Sequence, residues 1–268
     1  MSHLTTTLKD GSTVAYNLYN PGSSKVPLVM INGMVCCMSD WSEFAEALAV
    51  ESDRPVLVFD NRNIGFSFGD ISAQTLDLMV TDTAELIEFL GFKDVHLLGF
   101  SLGGMIALQM LIHHKTTFTI HKLFMCNSAC RRPPSSHVDV GSAEGVMSFT
   151  RRLFDEEWIA QNKDTYQLIE EGLANTRRPS ETMQSQLVST VGLELSDEVR
   201  KQDWTNRLYI VHGKLDALIL FEEAEHILQV AKGAQLVQDL PTLDYGHFFS
   251  YYFDVQTWSR ALERCLAA

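Results

Sequence analysis

The stretch from Val95 to Ile112 constrains the fold more than any other part of the chain. A short apolar run, Val95 to Leu98, enters Gly99-Phe100-Ser101-Leu102-Gly103-Gly104, and a segment apolar almost all round continues to Ile112. The pattern reads strand, sharp turn, buried helix. A serine at the apex of such a G-x-S-x-G turn sits in a strained backbone conformation. Gly99 and Gly103 lack the side chains that would keep strand and helix apart. The N–H groups that open the helix point towards the serine and favour negative charge developing there.

Similar short apolar runs occur at Pro27 to Ile31, Pro55 to Phe59, Leu123 to Cys126 and Leu208 to Val211, with a weaker one at Gln235 to Val237. Runs of this length suit strands buried on both faces of a parallel sheet. Thr5 to Leu8 and Thr13 to Leu18 flank Lys9-Asp10-Gly11 and predict a hairpin. Helical spacing appears between the runs at Trp41 to Ala49, Leu76 to Leu90, Leu102 to Ile112, Phe221 to Val230 and Trp258 to Leu266. Strands alternating with helices predict an α/β fold with right-handed crossovers. Residues 131–200 break the alternation, opening on Arg131-Arg132-Pro133-Pro134. Helical patterns at Ala143 to Phe154, Glu156 to Ala174 and Pro179 to Leu193 predict a helical insertion there. The expected organisation is a core of residues 1–130 and 201–268 with an inserted unit, 131–200.

A serine needs a base, and the base needs a group to orient it. The run Leu208 to Val211 leads into His212-Gly213-Lys214-Leu215-Asp216, and Tyr245-Gly246-His247 follows some thirty residues later. The order serine, acid, histidine makes Ser101, Asp216 and His247 the candidate catalytic residues. Asp203 and Asp244 are rival acids, Asp244 being placed to shape the His247 loop instead. His212 reads as a packed polar residue, and His113 and His114 as helix-end residues. Two backbone N–H groups should stabilise an oxyanion. One belongs to Leu102; the other is assigned to Met34, in the loop Asn32-Gly33-Met34 after the run Pro27 to Ile31.

In order along nearly the whole chain, these features resemble the α/β-hydrolase superfamily. The loop Asp60-Asn61-Arg62-Asn63-Ile64-Gly65-Phe66-Ser67 resembles that family's D-x-R-G-x-G-x-S segment. The resemblance implies an eight-stranded, mostly parallel sheet flanked by helices, a helical cap at residues 131–200, and no cofactor. Asn32 stands where the family usually has histidine, and should hold the turn while adding an amide donor near the substrate. Asn63 replaces the usual glycine, and asparagine tolerates the left-handed region such a turn needs.

A formal net charge of −13 repels phosphate backbones and anionic lipids, so nucleic acid and acidic membranes are poor partners. No apolar run reaches the length of a membrane span. Five cysteines, two of them adjacent at Cys36 and Cys37, do not form a disulfide framework, which fits a soluble protein of the cytoplasm. No metal-binding spacing and no phosphate loop is present, so neither metal nor cofactor is expected. Monomer and dimer both remain open. Pocket candidates are Asn32, Gly33, Phe100, Met105 and Phe248 in the core, with Phe149 and Trp158 in the insertion. Arg151-Arg152 and Arg177-Arg178 read as solvated surface charge, with carboxylate binding as the alternative. The expected activity is hydrolysis of a carboxylic ester or lactone of a small, largely apolar substrate. The alternatives are other reactions on the same residues (C–C bond hydrolysis, lyase chemistry, cofactor-free perhydrolysis) and a small-molecule receptor built on the same fold.

Overall fold

A computed structural model describes residues 3–70, 74–133, 139 and 142–267. Pro134, the second proline of the expected breaker, lies outside the described residues. Eight strands form one sheet: β1 (Leu4–Thr7), β2 (Thr13–Tyr19), β3 (Leu28–Ile31), β4 (Val56–Phe59), β5 (Asp94–Phe100), β6 (Thr119–Cys126), β7 (Leu208–Val211) and β8 (Gln235–Leu236). Their order is β1-β2-β4-β3-β5-β6-β7-β8. β2 is antiparallel to β1 and β4, and the other neighbours are parallel.

The strands are apolar on both faces because helices cover both. Val29, Leu57, Leu97, Met125 and Ile210 pack with α2 (Leu76–Phe89), α3 (Leu102–His113) and α9 (Phe221–Val230). Their strand neighbours Met30, Val58, Leu98, Phe124 and Tyr209 pack on the other face with α1 (Ser42–Glu51) and α10 (Val255–Ala267). Adjacent strand residues point to opposite faces, so one apolar run serves two cores. α1 leads from β3 to β4, and α2 returns across β3 to β5. The chain therefore changes winding direction beside β3, and the crevice at the carboxyl ends of β3 and β5 is where open α/β sheets bind ligands.

Between β6 and β7 lie α4 (Ala143–Arg151), α5 (Glu156–Gln161), α6 (Lys163–Asn175), α7 (Ser180–Ser189) and α8 (Ser196–Arg200), with no strand among the described residues. The long helix expected over Glu156 to Ala174 is two helices. The break falls at Asn162 (φ −124°, ψ 40°), whose side-chain amide and backbone N–H both donate to the Trp158 carbonyl at 2.9 Å. A side chain that competes for helical carbonyls in this way ends the helix locally.

The inserted helices are tied to the sheet unit at several points. Arg178 donates to both oxygens of Asp40 at 2.7 Å. Its side chain is only 4% exposed, so it is not the solvated charge expected from the sequence. Arg177 donates to the carbonyls of Asn63 and Ser67, both at 3.1 Å, and lies over the Phe68 ring. Arg152 caps the Ala217 carbonyl at 2.5 Å. Among the described residues, no helix is long and apolar enough to cross a membrane.

Candidate active site

Strand register assembles the site. Ile31 of β3 pairs with Gly99 of β5, so the Asn32-Gly33 turn emerges beside Phe100 and Ser101. Phe100 pairs with Cys126 of β6, and Cys126 with Val211 of β7. Ser101, Asn127 and His212 therefore leave the sheet side by side at its carboxyl edge.

Ser101 is half-buried and sits at φ 52°, ψ −119°, a region that disfavours L-residues. Three hydrogen bonds hold it there. Its N–H donates to the Cys126 carbonyl (2.9 Å), while its carbonyl accepts from the Gly104 N–H (3.0 Å) and the Ser128 hydroxyl (2.7 Å). A Cβ on Gly103 would collide with the Ile31 carbonyl, and one on Gly99 with the Gly103 carbonyl. A Cβ on Gly33 would come within 3.0 Å of the Ser101 Cβ, which measures how closely the β3 loop approaches the serine.

Asp216 and His247 come from two loops laced together. The Lys214 N–H donates to the Leu243 carbonyl (2.7 Å) and the Leu215 N–H to that of Tyr245 (3.1 Å). Asp216 Oδ2 accepts from His247 Nδ1 (2.7 Å) and Asn127 Nδ2 (2.8 Å). Its Oδ1 accepts from the N–H groups of Leu218 (2.8 Å) and Ile219 (2.9 Å). Burial is the largest single influence on this carboxyl and would raise its pKa. The charge of His247, hydrogen bonds from His212 and His247, and the charge of His212 outweigh it and hold the pKa below the usual carboxylate range. His212 is fully buried, with its Nε2 2.8 Å from the Ile219 carbonyl, and packs under the aspartate. The rival acids are engaged elsewhere: Asp244 accepts from the Thr242 hydroxyl and Asp203 from that of Thr205.

Ser101 and His247 open onto one cavity of about 60 Å³. Met34, Leu102, Met105 and Phe149 also line it. Among the described residues, neither the Met34 nor the Leu102 N–H has a protein acceptor. Val35, next in the β3 loop, is a buried β-branched residue at φ 71°. Inserted helices and their links clamp it on both sides: its N–H donates to Gln186 Oε1 (3.1 Å), and its carbonyl accepts from Arg178 Nε (2.7 Å).

The other pocket candidates lie elsewhere. Asn32 is 1% exposed, and its amide donates to the Phe59 carbonyl at 2.6 Å, so it braces the loop against β4 rather than offering a donor to substrate. Gly33 sits behind the serine against Phe100. Phe100 and Phe248 pack on Trp41, with ring centroids 5.0 and 4.7 Å away. Trp158 stacks on Phe154 at 4.2 Å. These rings close the junction between the sheet unit and the insertion. The remaining cavity lining (Pro133, Gln186, Leu187, Thr190, Leu218 and Ile219) was not anticipated from sequence.

The model of a family described as alpha/beta hydrolase fold matches residues 26–163, just over half the chain. The chain belongs to the α/β-hydrolase-fold family. Over 260 residues it is 22% identical to the protein named putative carbamate hydrolase RutD of Stutzerimonas stutzeri (strain A1501), covering 92% of this chain and 94% of that one. A hydrolase from Pseudomonas aeruginosa PA01 has a TM-score of 0.83 at 22% identity, covering 100% of this chain and 99% of that structure. The enol-lactonase from Burkholderia xenovorans LB400 has a TM-score of 0.82 at 18% identity, covering 99% and 100%. At these identities the structural likeness speaks for the fold.

Within this α/β-hydrolase fold, Asn127 and Ser128 are residues that the sequence reading missed. Asn127 stands at φ 46°, bonds Asp216 and reaches the Gly246 carbonyl at 3.4 Å; Ser128 fixes the Ser101 carbonyl. Their signal was positional: small polar residues directly after a buried parallel strand, at the sheet edge that carries the serine.

Proposed function

We propose that the protein is a serine hydrolase that cleaves a carboxylic ester or lactone with a small, mostly apolar acyl group, by way of an acyl-enzyme. The observation that carries this reading is the single cavity joining Ser101 to a histidine whose Nδ1 is held 2.7 Å from a buried carboxylate. With Nδ1–H donated to Asp216, the tautomer leaves the Nε2 lone pair free to take the Ser101 proton. Ser101 Oγ attacks the substrate carbonyl carbon and the proton passes to His247 Nε2. The carbonyl oxygen becomes an oxyanion, for which the N–H groups of Met34 and Leu102 are donors with no competing acceptor among the described residues. His247 returns the proton to the leaving alkoxide, and the acyl group remains on Ser101. A water deprotonated by His247 then attacks the acyl-enzyme carbonyl, and His247 returns that proton to Ser101 Oγ as the acid leaves.

The cavity lining supports the substrate class. Met34, Leu102, Met105, Phe149, Leu187, Leu218 and Ile219 offer apolar contact, and among the described residues no Asp, Glu, Lys or Arg side chain lines the cavity. A volume of about 60 Å³ is about twice the ~30 Å³ share of one water in the liquid, which favours short acyl chains. We read the inserted helices as a cap that keeps water from this space. The relative named for carbamate hydrolysis fits the same chemistry, because its carbonyl would meet the same attack with a different leaving group.

The test is a series of p-nitrophenyl esters from acetate to decanoate, with simple lactones alongside. The expected result is turnover that is greatest for acyl chains of about two to four carbons and is abolished in Ser101→Ala. Equal turnover by Ser101→Ala, or none by the wild type on any ester or lactone, would overturn the reading.

A further inference from the structure

Gln186, on α7 in the insertion, is fully buried and lines the cavity that holds Ser101 and His247. Its Oε1 accepts the Val35 N–H at 3.1 Å. Only the carbonyl end of the amide can accept that proton, so the network fixes which end of Gln186 faces which way. The Nε2 end has no hydrogen-bond partner among the described residues. Two N–H donors therefore stand buried and, among the described residues, unanswered on a side chain that lines a mostly apolar cavity. Leaving a buried amide donor unsatisfied is costly, and such groups in native proteins call for an explanation.

We propose that Gln186 is a substrate-binding residue that donates from Nε2 to a second, uncharged oxygen in the acyl part of the substrate, distinct from the scissile carbonyl. This rests on the reading of Ser101 as the acyl-accepting nucleophile. An ether, ketone or hydroxyl oxygen satisfies the donor without bringing a charge. A carboxylate would also accept, but among the described residues no lysine or arginine lines the cavity to neutralise it, and Arg178 is committed to Asp40. The clamp on Val35 gives the donor its precision. Gln186 cannot rotate its amide without releasing the N–H of a residue held at positive φ, one position beyond Met34. A site built to satisfy a buried donor discriminates against an analogue that lacks the acceptor.

Two matched pairs of p-nitrophenyl esters test this: methoxyacetate against butanoate, and 3-methoxypropanoate against pentanoate. Within each pair one methylene becomes an ether oxygen at nearly constant size. The ratio of kcat/KM within a pair is divided by the ratio of hydroxide-catalysed rates, which removes intrinsic reactivity. The wild type should favour the ether ester of at least one pair by about tenfold, the effect of one hydrogen bond. Gln186→Met should abolish that preference, and because the reading is a ratio within each variant, any general loss of activity cancels. Fluorophosphonate labelling is measured in parallel. A wild type that labels and cleaves esters but shows no preference in either pair overturns the Gln186 assignment alone, whether or not the variant folds. A preference that persists in Gln186→Met also overturns it. A wild type that neither labels nor cleaves any of the four esters overturns the serine hydrolase reading, and the assignment with it.

Discussion

Replacing Asp216 by asparagine should leave the fold intact and nearly abolish turnover. Among the described residues four donors lie within 2.9 Å of the carboxylate, His247 Nδ1 and Asn127 Nδ2 at one oxygen and the Leu218 and Ile219 N–H groups at the other, while His212 Nε2 stands farther off at 3.5 Å from Oδ2. An asparagine offers one oxygen and one NH₂. The backbone N–H groups cannot turn away, so the oxygen must face them and the NH₂ must face His247 and Asn127. Asn127 can adapt, because its own Oδ1 has no partner among the described residues and a flip of its amide would meet the new donor. His247 can adapt only by changing tautomer, accepting at Nδ1 and carrying its proton on Nε2. In that state it cannot take the Ser101 proton. The expected loss is about 10⁴ in kcat, or about 5.5 kcal/mol of barrier. The stability cost should be smaller, about 1–3 kcal/mol for the charge-assisted hydrogen bonds lost. The assay is steady-state hydrolysis of p-nitrophenyl butanoate beside a thermal melt. An Asp216→Asn protein that melts cooperatively and keeps kcat within tenfold of wild type would refute this assignment of roles.

Asp60, in the loop after β4, is buried and accepts from the Met38 and Phe66 N–H groups at 2.7 and 2.8 Å. Burial is the main cause that pushes its pKa up to about 6, from an ordinary value near 3.8. Between those values the folded state binds the extra proton, so this group's contribution to stability falls as pH rises through that window and is fully lost above about 6. Wild type should lose about 2 kcal/mol relative to Asp60→Asn between pH 4 and pH 7 in urea unfolding; an unchanged difference would contradict the burial argument. Arg178→Met should cost about 3–5 kcal/mol, because it strands Asp40 without its partner. Arg178→Met with Asp40→Asn should recover part of that loss, again by urea unfolding.

The core strands were legible because parallel strands covered on both faces must be apolar throughout, so each appears as a bounded run. The predicted bounds of β7 and α9 match the observed ones. β6 begins at Thr119, four residues before its apolar run, because Thr119 to Lys122 mixes polar and apolar residues and pairs only with the start of β5. The elbow was legible because its glycines answer a backbone constraint, which the Ile31 and Gly103 carbonyls now make explicit. Asn63 stands at φ 61°, in the left-handed region inferred for it, with its Oδ1 accepting the Gly69 N–H at 2.8 Å. Pocket residues were harder. Phe100 and Phe248 flank the candidate catalytic residues in sequence, yet their rings pack on Trp41, and Phe100 meets the His247 ring at 4.9 Å, without lining the cavity. Gln186 shares its helix face with Met183, and only tertiary packing places it at the cavity that holds the serine. Arg178 was misread for the same reason: its partner Asp40 lies 138 positions away.

The central claim is that Ser101 is an activated nucleophile, and covalent capture tests it most directly. Wild-type protein treated with a fluorophosphonate should gain the mass of one phosphonyl adduct, located on the peptide carrying Ser101, and Ser101→Ala should gain none. Wild type that remains unlabelled while folded, or a label of equal extent on the Ser101→Ala variant, would contradict the account.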